Sequence, residues 1–303
     1  MKQLNTSVEL CGLTLKNPVM NASGTFGSGM EYASLTDLDR PGALVTKGVS
    51  SSPWEGNPTP RVVETPSGML NAIGLQNPGL EVFIRRDLAF LSGVDTRVIV
   101  NVCGHSEAEY EEVAERLNEE DRVDFLEINV SCPNVKEGAI AFGTDPGRLK
   151  SITKALRAKT GKPMIIKLSP NVTDITELAK AAESEGADAL SLINTLTGMK
   201  IDIEKRKFAL ANRTGGLSGP AIRPVALRMV YDVSHAVKIP VIGMGGITNA
   251  ADALEFLMAG ARAVAVGMYL FHDPDAMIHI IEGLTAWMEK EKLSDINEII
   301  GIL

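Results

Sequence analysis

The chain has 303 residues, of which 45% are hydrophobic and 22% are charged, and it carries a formal net charge of -8 at pH 7. That length can bury one large core. The acidic balance argues against nucleic acid as the main partner, because binding phosphates needs a basic surface. No window approaches the roughly 18 unbroken apolar residues of a membrane span, and the three cysteines have neither metal-ligand spacing nor the even number of a disulfide set. We therefore expect a cytoplasmic protein with no metal site, no membrane segment and no nucleic-acid partner.

The first predicted element is a small hairpin over residues 8–15, where apolar and polar residues alternate around Gly12. Eight short apolar runs follow it, and they cover residues 18–20, 43–46, 98–100, 125–128, 164–166, 189–193, 241–242 and 263–266. Helical patterns with capping residues separate the later runs, over residues 107–118, 146–160, 174–185, 224–237, 250–258 and 275–292. Strands that alternate with helices indicate βα units and a parallel sheet. The prediction is an α/β fold, a TIM (β/α)8 barrel in one domain over residues 1–303, with the hairpin plugging its bottom.

Two segments interrupt this alternation. Residues 49–78 are rich in Ser, Pro, Gly and Asn, and residues 197–220 insert polar and charged sequence after the sixth run. Loops of this length are usually functional lids or binding segments. We expect both to be loops inserted over the carboxyl-terminal mouth of the barrel.

Polar or glycine residues stand at the end of all eight runs. These are Asn21-Ala22-Ser23, Lys47, Asn101, Asn129, Lys167, Asn194, Gly245-Gly246 and Gly267. In a parallel barrel the carboxyl ends of all strands lie on one face, where the active sites of this fold are built. A neutral scaffold does not need amide and ammonium groups at a single mouth, so the pattern predicts an enzyme.

Two features of this mouth favour an anionic ligand. Glycine turns follow the seventh and eighth runs, at Gly245-Gly246 and Gly267, where barrels commonly bind a phosphate through backbone amides. Lys167 and Lys47 each close an apolar run, and an ammonium group carried into the mouth needs an anionic partner. The alternatives are ordinary tight turns for the glycines and lysines that extend to solvent.

Amide and thiol groups complete the mouth. Asparagine is a common turn residue, so each asparagine alone is more often structural. Several at one mouth suit a flat heterocycle that has both donors and acceptors, because a carboxamide supplies both. The candidates are Asn71, Asn101, Asn129, Asn134 and Asn194. Cys132 follows a run in a Ser-Cys-Pro-Asn turn, where a thiolate can act as nucleophile or as general base. None of the four histidines forms an obvious pair with it, which favours the general base.

Six motifs of the chain are similar to those of a known family. They are the segments at residues 21–27 (Asn-Ala-Ser-Gly-Thr-Phe-Gly), 46–48 (Thr-Lys-Gly), 71–77 (Asn-Ala-Ile-Gly-Leu-Gln-Asn), 129–134 (Asn-Val-Ser-Cys-Pro-Asn), 167–171 (Lys-Leu-Ser-Pro-Asn) and 216–220 (Gly-Leu-Ser-Gly-Pro). Together they resemble the class 1 dihydroorotate dehydrogenases over essentially the whole chain, and in detail the class 1B catalytic subunit. Ala139 departs from the pattern, which has a second glycine after Gly138.

The resemblance implies an FMN-containing barrel that oxidises (S)-dihydroorotate to orotate in pyrimidine biosynthesis. Cys132 would remove the C5 proton while the C6 hydride passes to the flavin. The implied FMN-binding residues are Ser23, Lys47, Gly48, Asn101, Asn129, Lys167, Ile193, Gly219, Gly245, Gly246, Gly267 and Met268. The implied substrate-binding residues are Lys47, Asn71, Ala72, Ile73, Gly74, Leu75, Asn129, Asn194 and Thr195.

The resemblance also implies a partner. Class 1B enzymes pass electrons to an iron-sulfur subunit that carries FAD and a [2Fe-2S] cluster, and from there to NAD. The three cysteines of this chain cannot supply a four-thiolate cluster, and no Gly-x-Gly-x-x-Gly follows a strand. We therefore expect a homodimer of this chain at the core of a heterotetramer.

Three alternatives remain open on the sequence. The first is a class 1A homodimer that uses fumarate. The second is a flavin barrel of the dihydrouridine synthase kind acting on RNA, against which the acidic charge counts. The third is a non-catalytic barrel that binds a phosphate ligand, and it predicts a colourless protein.

Overall fold

The computed structural model describes residues 4–131 and 142–303. Its strands are Val8–Leu10 (β1), Leu13–Leu15 (β2), Val19–Asn21 (β3), Ala43–Val45 (β4), Val62–Thr65 (β5), Gly68–Asn71 (β6), Arg97–Val102 (β7), Phe125–Asn129 (β8), Met164–Lys167 (β9), Ala189–Leu192 (β10), Leu196–Met199 (β11), Ile201–Asp202 (β12), Lys207–Phe208 (β13), Thr214–Ser218 (β14), Val241–Met244 (β15) and Ala263–Val266 (β16).

The α-helices are Leu80–Val82 (α1), Ala89–Leu91 (α2), Glu107–Asn118 (α3), Pro146–Arg157 (α4), Ile175–Ser184 (α5), Arg223–Ala236 (α6), Ala250–Met258 (α7) and Ala276–Glu291 (α8). A π-helical segment, Phe83–Leu88, joins α1 to α2. Short 3₁₀ turns occur at Met30–Tyr32, Phe142–Thr144, Pro220–Ile222, Met268–Phe271 and Ile296–Ile299. Among the described residues, none of these helices is long and apolar enough to cross a membrane.

Eight of the strands close into a barrel in the order β3-β4-β7-β8-β9-β10-β15-β16. All eight predicted runs are strands of this barrel, and each pair of neighbours is parallel. The predicted TIM barrel is confirmed. Residues of β8, β9, β10, β15 and β16 are buried on both faces, because side chains fill the barrel on one side and helices cover the other.

The predicted N-terminal hairpin is also confirmed, as β1 paired antiparallel with β2. It lies against the amino-terminal ends of the barrel strands. Arg97, the first residue of β7, donates a hydrogen bond to the carbonyl of Thr14, and the thiol of Cys11 donates to the carbonyl of Asp188, just before β10. Since both partners stand where strands begin, the hairpin lies at the bottom of the barrel, opposite the mouth.

The helices form where the sequence predicts them, within a few residues at their ends. In α3 the buried residues Tyr110, Val113, Ala114 and Leu117 follow helical spacing, so one face packs on the barrel. Ser106, the residue before α3, accepts a hydrogen bond from the backbone amide of Glu109 and caps the helix. Asp145 and Asn249 cap α4 and α7 in the same way.

The two inserted segments are not the loops that the sequence predicts. They pair with each other in a four-stranded sheet of order β11-β14-β6-β5, with Gly216 opposite Asn71. Local patterns do not show this pairing, because its partners stand far apart in the chain and β14 is rich in glycine, which has low strand propensity. Glycine is needed there, since a Cβ at Gly216 would overlap the side chain of Thr195. We call this four-stranded sheet the lid sheet.

The contact between β3 and β4 has only one paired position, Met20 with Ala43. The side chain of Asn21 reinforces it. Its Nδ2 donates to the Val45 carbonyl at 2.6 Å, and its Oδ1 accepts from the Val45 amide at 2.9 Å. A fully buried carboxamide thus serves as an additional rung that closes the barrel.

We expect Asn21→Ala to destabilise the chain by about 2 to 6 kcal/mol, because the carbonyl and the amide of Val45 each lose a buried partner, at roughly 1–3 kcal/mol each. Urea unfolding measures this. The control is Asn249→Ala, which removes a cap from α7 at the surface and costs about 1 kcal/mol. Equal effects of the two substitutions would contradict the role of Asn21 in barrel closure.

Candidate active site

Lys167 ends β9 with its side chain buried inside the mouth, only 4% exposed. Its Nζ donates to the Oγ of Ser23 at 2.9 Å, and it lies 3.7 Å from the Oε2 of Glu127. The alternative of a lysine extending to solvent is therefore wrong for Lys167. The buried ammonium group is held in place by Ser23 and lies beside a carboxylate, and it has further N–H donors that can bind a ligand.

Asn101 of β7 presents an acceptor to the same space. Its Nδ2 donates to Glu127 Oε2 at 2.6 Å, while its Oδ1 is buried and has no hydrogen-bond partner among the described residues. A Cβ placed on Gly48 would come within 3.1 Å of that oxygen, so a glycine at this position leaves room beside it. Since buried polar atoms are nearly always paired, the Asn101 oxygen fits a ligand that supplies a donor.

Three of the predicted substrate residues form a connected chain across the ends of β8 and β10. Asn194 Nδ2 donates to Asn129 Oδ1 at 3.2 Å, and the Thr195 amide donates to Asn194 Oδ1 at 2.8 Å. The hydroxyl of Tyr110 donates to the Asn129 carbonyl at 2.6 Å, which fixes the end of β8 from the helix side. The structure thus brings these amides together at the mouth, as predicted.

The predicted substrate segment at residues 71–75 comes from the lid sheet. Asn71 ends β6, and its Nδ2 donates to the carbonyl of Gly216 in β14 at 3.3 Å. Asn57 holds the following residues, through its backbone amide to the Ile73 carbonyl and its Nδ2 to the Ala72 carbonyl. Gly74 and Leu75 then turn with positive φ.

The turn at residues 74–75, which follows the lid-sheet strand β6, lies near the carboxyl end of β4, the second strand of the barrel. The methyl Cδ2 of Leu75 approaches Gly48, 3.6 Å from where a Cβ would stand. Leu75 therefore contacts the Lys47-Gly48 turn, so predicted substrate-binding and cofactor-binding residues are neighbours there.

Lys47 lies at the edge of a cavity of about 540 Å³ between the barrel mouth and the first insertion. Burial lowers the pKa of its ammonium group, Cys103 opposes that shift, and Arg61 adds to it. Trp54 and Gln76 line the same cavity. An anionic ligand beside Lys47 would compensate the burial of its charge.

The predicted phosphate turns meet at one place. Gly246 has φ +75°, and a Cβ there would lie 2.7 Å from the Gly219 carbonyl; Gly219 has φ +100°, and its Cβ would lie 3.0 Å from the side chain of Met268. Within the described part of the chain, the amides of Gly245, Gly246, Gly267 and Met268 have no hydrogen-bond acceptor. Free amides at neighbouring glycine turns, beside the short helical turn Met268–Phe271, suit a phosphate, and we call these four amides the phosphate cradle.

Two further sequence predictions concern Ile193 and the segment that carries Cys132. Ile193 is buried, its amide donates to the Met244 carbonyl, and it packs beside Gly245.

Cys132 and Asn134, with Ala139, lie outside the described residues 4–131 and 142–303.

Glu127 is a site residue that the sequence analysis missed. It stands in the middle of the apolar run Phe-Leu-Glu-Ile-Asn, it is 2% exposed, and it contacts Lys167, Asn101 and Ser191. A carboxylate inside an otherwise apolar strand was the available signal, because a charge is buried there only with partners. The interpretation of β8 as a plain core strand overlooked it.

The fold and the site together define a (β/α)8-barrel enzyme whose mouth suits a planar ligand that also carries a phosphate. Comparison with known proteins gives the family. The model of the family described as dihydroorotate dehydrogenase matches residues 5–288, and this chain belongs to that family. The enzymes of this family depend on a flavin.

Three relatives cover nearly the whole chain, and each is named dihydroorotate dehydrogenase B (NAD(+)), catalytic subunit. The protein of Lachnoclostridium phytofermentans is 64% identical over 98% of this chain and 99% of its own length. Those of Geotalea uraniireducens and Alkaliphilus oremlandii are 57% and 55% identical over 100% of this chain, and over 99% and 100% of their own lengths.

A solved structure is similar in fold. The crystal structure of DHODH in complex with ferulenol from Eimeria tenella superposes with a TM-score of 0.82 at 23% identity, covering 98% of this chain and 88% of that one. At this identity the likeness supports the barrel fold alone.

Proposed function

We propose that this chain is the catalytic subunit of an NAD-linked dihydroorotate dehydrogenase, and that it binds FMN in the barrel mouth. The observation that carries the flavin assignment is the buried mouth of the barrel, where the unpaired Asn101 oxygen and the Lys167 ammonium stand together. The relatives at 55–64% identity carry the name of such a subunit.

The residues present fit FMN at both of its ends. The free amides of the phosphate cradle suit the phosphate, and the Asn101 oxygen suits an N–H of the ring. We assign FMN to Ser23, Lys47, Gly48, Asn101, Asn129, Lys167, Ile193, Gly219, Gly245, Gly246, Gly267 and Met268. When bound, FMN accepts the hydride that leaves C6 of dihydroorotate.

Lys167 then has an electrostatic role. Its ammonium group is fixed by Ser23 before any reaction, so it needs no rearrangement to stabilise negative charge on a ring system beside it. Lys47 supplies a second positive group at the edge of the cavity, suited to the substrate carboxylate.

The substrate assignment follows the amide chain and the lid sheet. Asn71, Asn129, Asn194 and Thr195 offer donors and acceptors that match the ring amides and carbonyls of dihydroorotate, and we assign residues 72–75 and Lys47 to the same ligand. Cys132 is proposed, from its sequence motif, as the base that takes the C5 proton.

The electrons must leave the chain for a partner. We assign their route to an iron-sulfur subunit with FAD and a [2Fe-2S] cluster, which reduces NAD, in a heterotetramer built on a homodimer of this chain. The three cysteines and the lack of a dinucleotide motif in the sequence support this division of labour. We expect the assembly to be cytoplasmic.

The purified chain should be yellow and carry one non-covalent FMN, identified by chromatography after acid release. Lys167→Ala should weaken FMN retention or slow flavin reduction, because the buried ammonium group is lost. Lys162→Ala is the matched control, since Lys162 donates to the Val123 carbonyl at the other end of the barrel. Release of FAD or of no flavin would overturn the cofactor assignment.

Cys132→Ser should keep FMN bound but slow its reduction by dihydroorotate severely near neutral pH, with partial recovery at high pH. A serine hydroxyl is a much poorer base than a thiol at the same pH. Stopped-flow reduction across pH measures the effect.

Cys11→Ser is the control for this experiment. Burial, followed by the nearby Asp188 carboxylate, raises the pKa of the Cys11 thiol to about 12, and Cys11 stands at the bottom of the barrel. Its replacement should leave the rate unchanged. If Cys132→Ser reduced its flavin as fast as the parent at pH 7, Cys132 would not be the base.

Without a partner subunit, dihydroorotate should bleach the flavin of this chain while NAD reduction stays negligible. Addition of the iron-sulfur FAD subunit should restore NAD reduction and give a heterotetramer by mass. Strong NAD reduction by the isolated chain would refute the division of labour. Equally fast turnover with fumarate would move the assignment to class 1A.

A further inference from the structure

We propose that Glu127 is the positioning residue of the flavin site, a buried carboxylate that orients the Asn101 amide and balances the charge of Lys167. The inference rests on the proposed function, because it takes FMN as the ligand of the mouth. It assigns a role to a group that the reaction itself does not use.

The contacts of Glu127 place its side chain inside the barrel. Asn101 stands on β7, Lys167 on β9 and Ser191 on β10, so Glu127 reaches across the interior to three strands. Ser191 Oγ donates to Oε1 at 2.7 Å, and Asn101 Nδ2 donates to Oε2 at 2.6 Å. Both oxygens are occupied by neutral donors, and the carboxylate is therefore held in a single orientation.

The first consequence concerns Asn101. An ionised carboxylate only accepts hydrogen bonds, so Asn101 must turn its Nδ2 toward Glu127. Its Oδ1 then faces away, beside Gly48, where it has no partner among the described residues. Glu127 thereby orients the Asn101 amide so that its oxygen, an acceptor, faces the mouth in place of its NH₂ group.

The second consequence concerns Lys167. Its Nζ is 2.9 Å from Ser23 Oγ but 3.7 Å from Glu127 Oε2, beyond the length of a good hydrogen bond. Glu127 thus acts on the ammonium group as a neighbouring counter-charge and leaves its remaining donors available. Two opposite charges in a buried site largely cancel, and removal of the carboxylate would leave the positive charge unopposed.

An unopposed ammonium group favours the state of a ligand that carries more negative charge. Replacement of the carboxylate by an amide should therefore strengthen the binding of reduced FMN relative to oxidised FMN. A carboxylate that served only to hold the strands together would change stability and leave this ratio as it is.

The test compares Glu127→Gln with Ser191→Ala. Gln keeps the size of the side chain and can accept from Asn101 while donating to Ser191, so the fold has the partners it needs. Ser191→Ala removes one bond to Glu127 but keeps its charge. The readouts are the midpoint potential of bound FMN, its dissociation constant, and the thermal unfolding of each variant.

For E127Q we expect the ratio of reduced to oxidised FMN affinity to rise on the order of tenfold, a positive shift of about 30 mV for a two-electron couple. S191A should keep the parent potential. Glu127→Asp keeps the charge but moves it farther from Lys167, so it should raise the potential by less than E127Q does, and it carries the test if E127Q does not fold.

The outcomes separate this inference from the proposed function. A parent chain without FMN would refute the proposed function. A parent with FMN, next to an E127Q variant of equal potential and affinity, would overturn only the role of Glu127. Lower thermal stability of E127Q at an unchanged potential would show that Glu127 has only a structural role, and that result too would overturn the proposed positioning role.

Discussion

The closure of eight parallel strands is the constraint on which the rest of this structure depends. Because all strands run in one direction, every carboxyl end lies at the same mouth, and residues far apart in the chain become neighbours without any dedicated loop. Ser23 and Lys167 are separated by 144 positions, yet their side chains are hydrogen-bonded. Closure also removes sheet edges, so side chains at the rim can serve chemistry instead of protecting unpaired backbone. The weakly paired β3–β4 seam shows the cost of closure, since a buried asparagine is needed to complete it.

A packed barrel interior excludes water, which makes each polar group in it costly unless it is paired. The polar groups of the mouth meet this condition as one network. Glu127 accepts from Asn101 and Ser191 and stands beside Lys167, which donates to Ser23. The network is satisfied toward the barrel interior and unsatisfied toward the mouth, at Asn101 Oδ1. A polar network with one open end is what a binding site for a planar, hydrogen-bonding ligand requires, and a flavin-dependent dehydrogenase of this family provides such a ligand.

The parts of the fold that sequence predicted well are those with local signals. A run such as Val98–Val100 is short, β-branched and followed by a polar residue, which indicates a buried strand, and the alternation of such runs with helices indicates the parallel barrel. Helix α3 was also predicted from local signals, namely its capping residue and the helical spacing of its apolar residues. The lid sheet was missed because its strands pair across long sequence separations, and because Gly215 and Gly216 signal a loop unless their packing partners are known. Glu127 was missed for a related reason, since the partners that make a buried carboxylate tolerable lie on other strands.

The residues assigned to the cofactor lie mainly on the barrel, whereas those assigned to the substrate come both from the barrel rim, at Asn129, Asn194 and Thr195, and from the segment that ends β6 and follows it. Lys167, Asn101 and the glycine turns belong to the barrel itself, which is rigid because its strands are hydrogen-bonded on both sides. Asn71 belongs to the lid sheet and residues 72–75 follow it, while Leu196 of β11 and Leu217 of β14 pack against the barrel core. A cofactor that stays bound through many turnovers suits the rigid barrel, whereas a substrate that enters and leaves suits a site with one wall outside the barrel. The Lys47-Gly48 turn, which Leu75 approaches, is where these two parts meet. Lys47, which we assign to both ligands, stands at this junction.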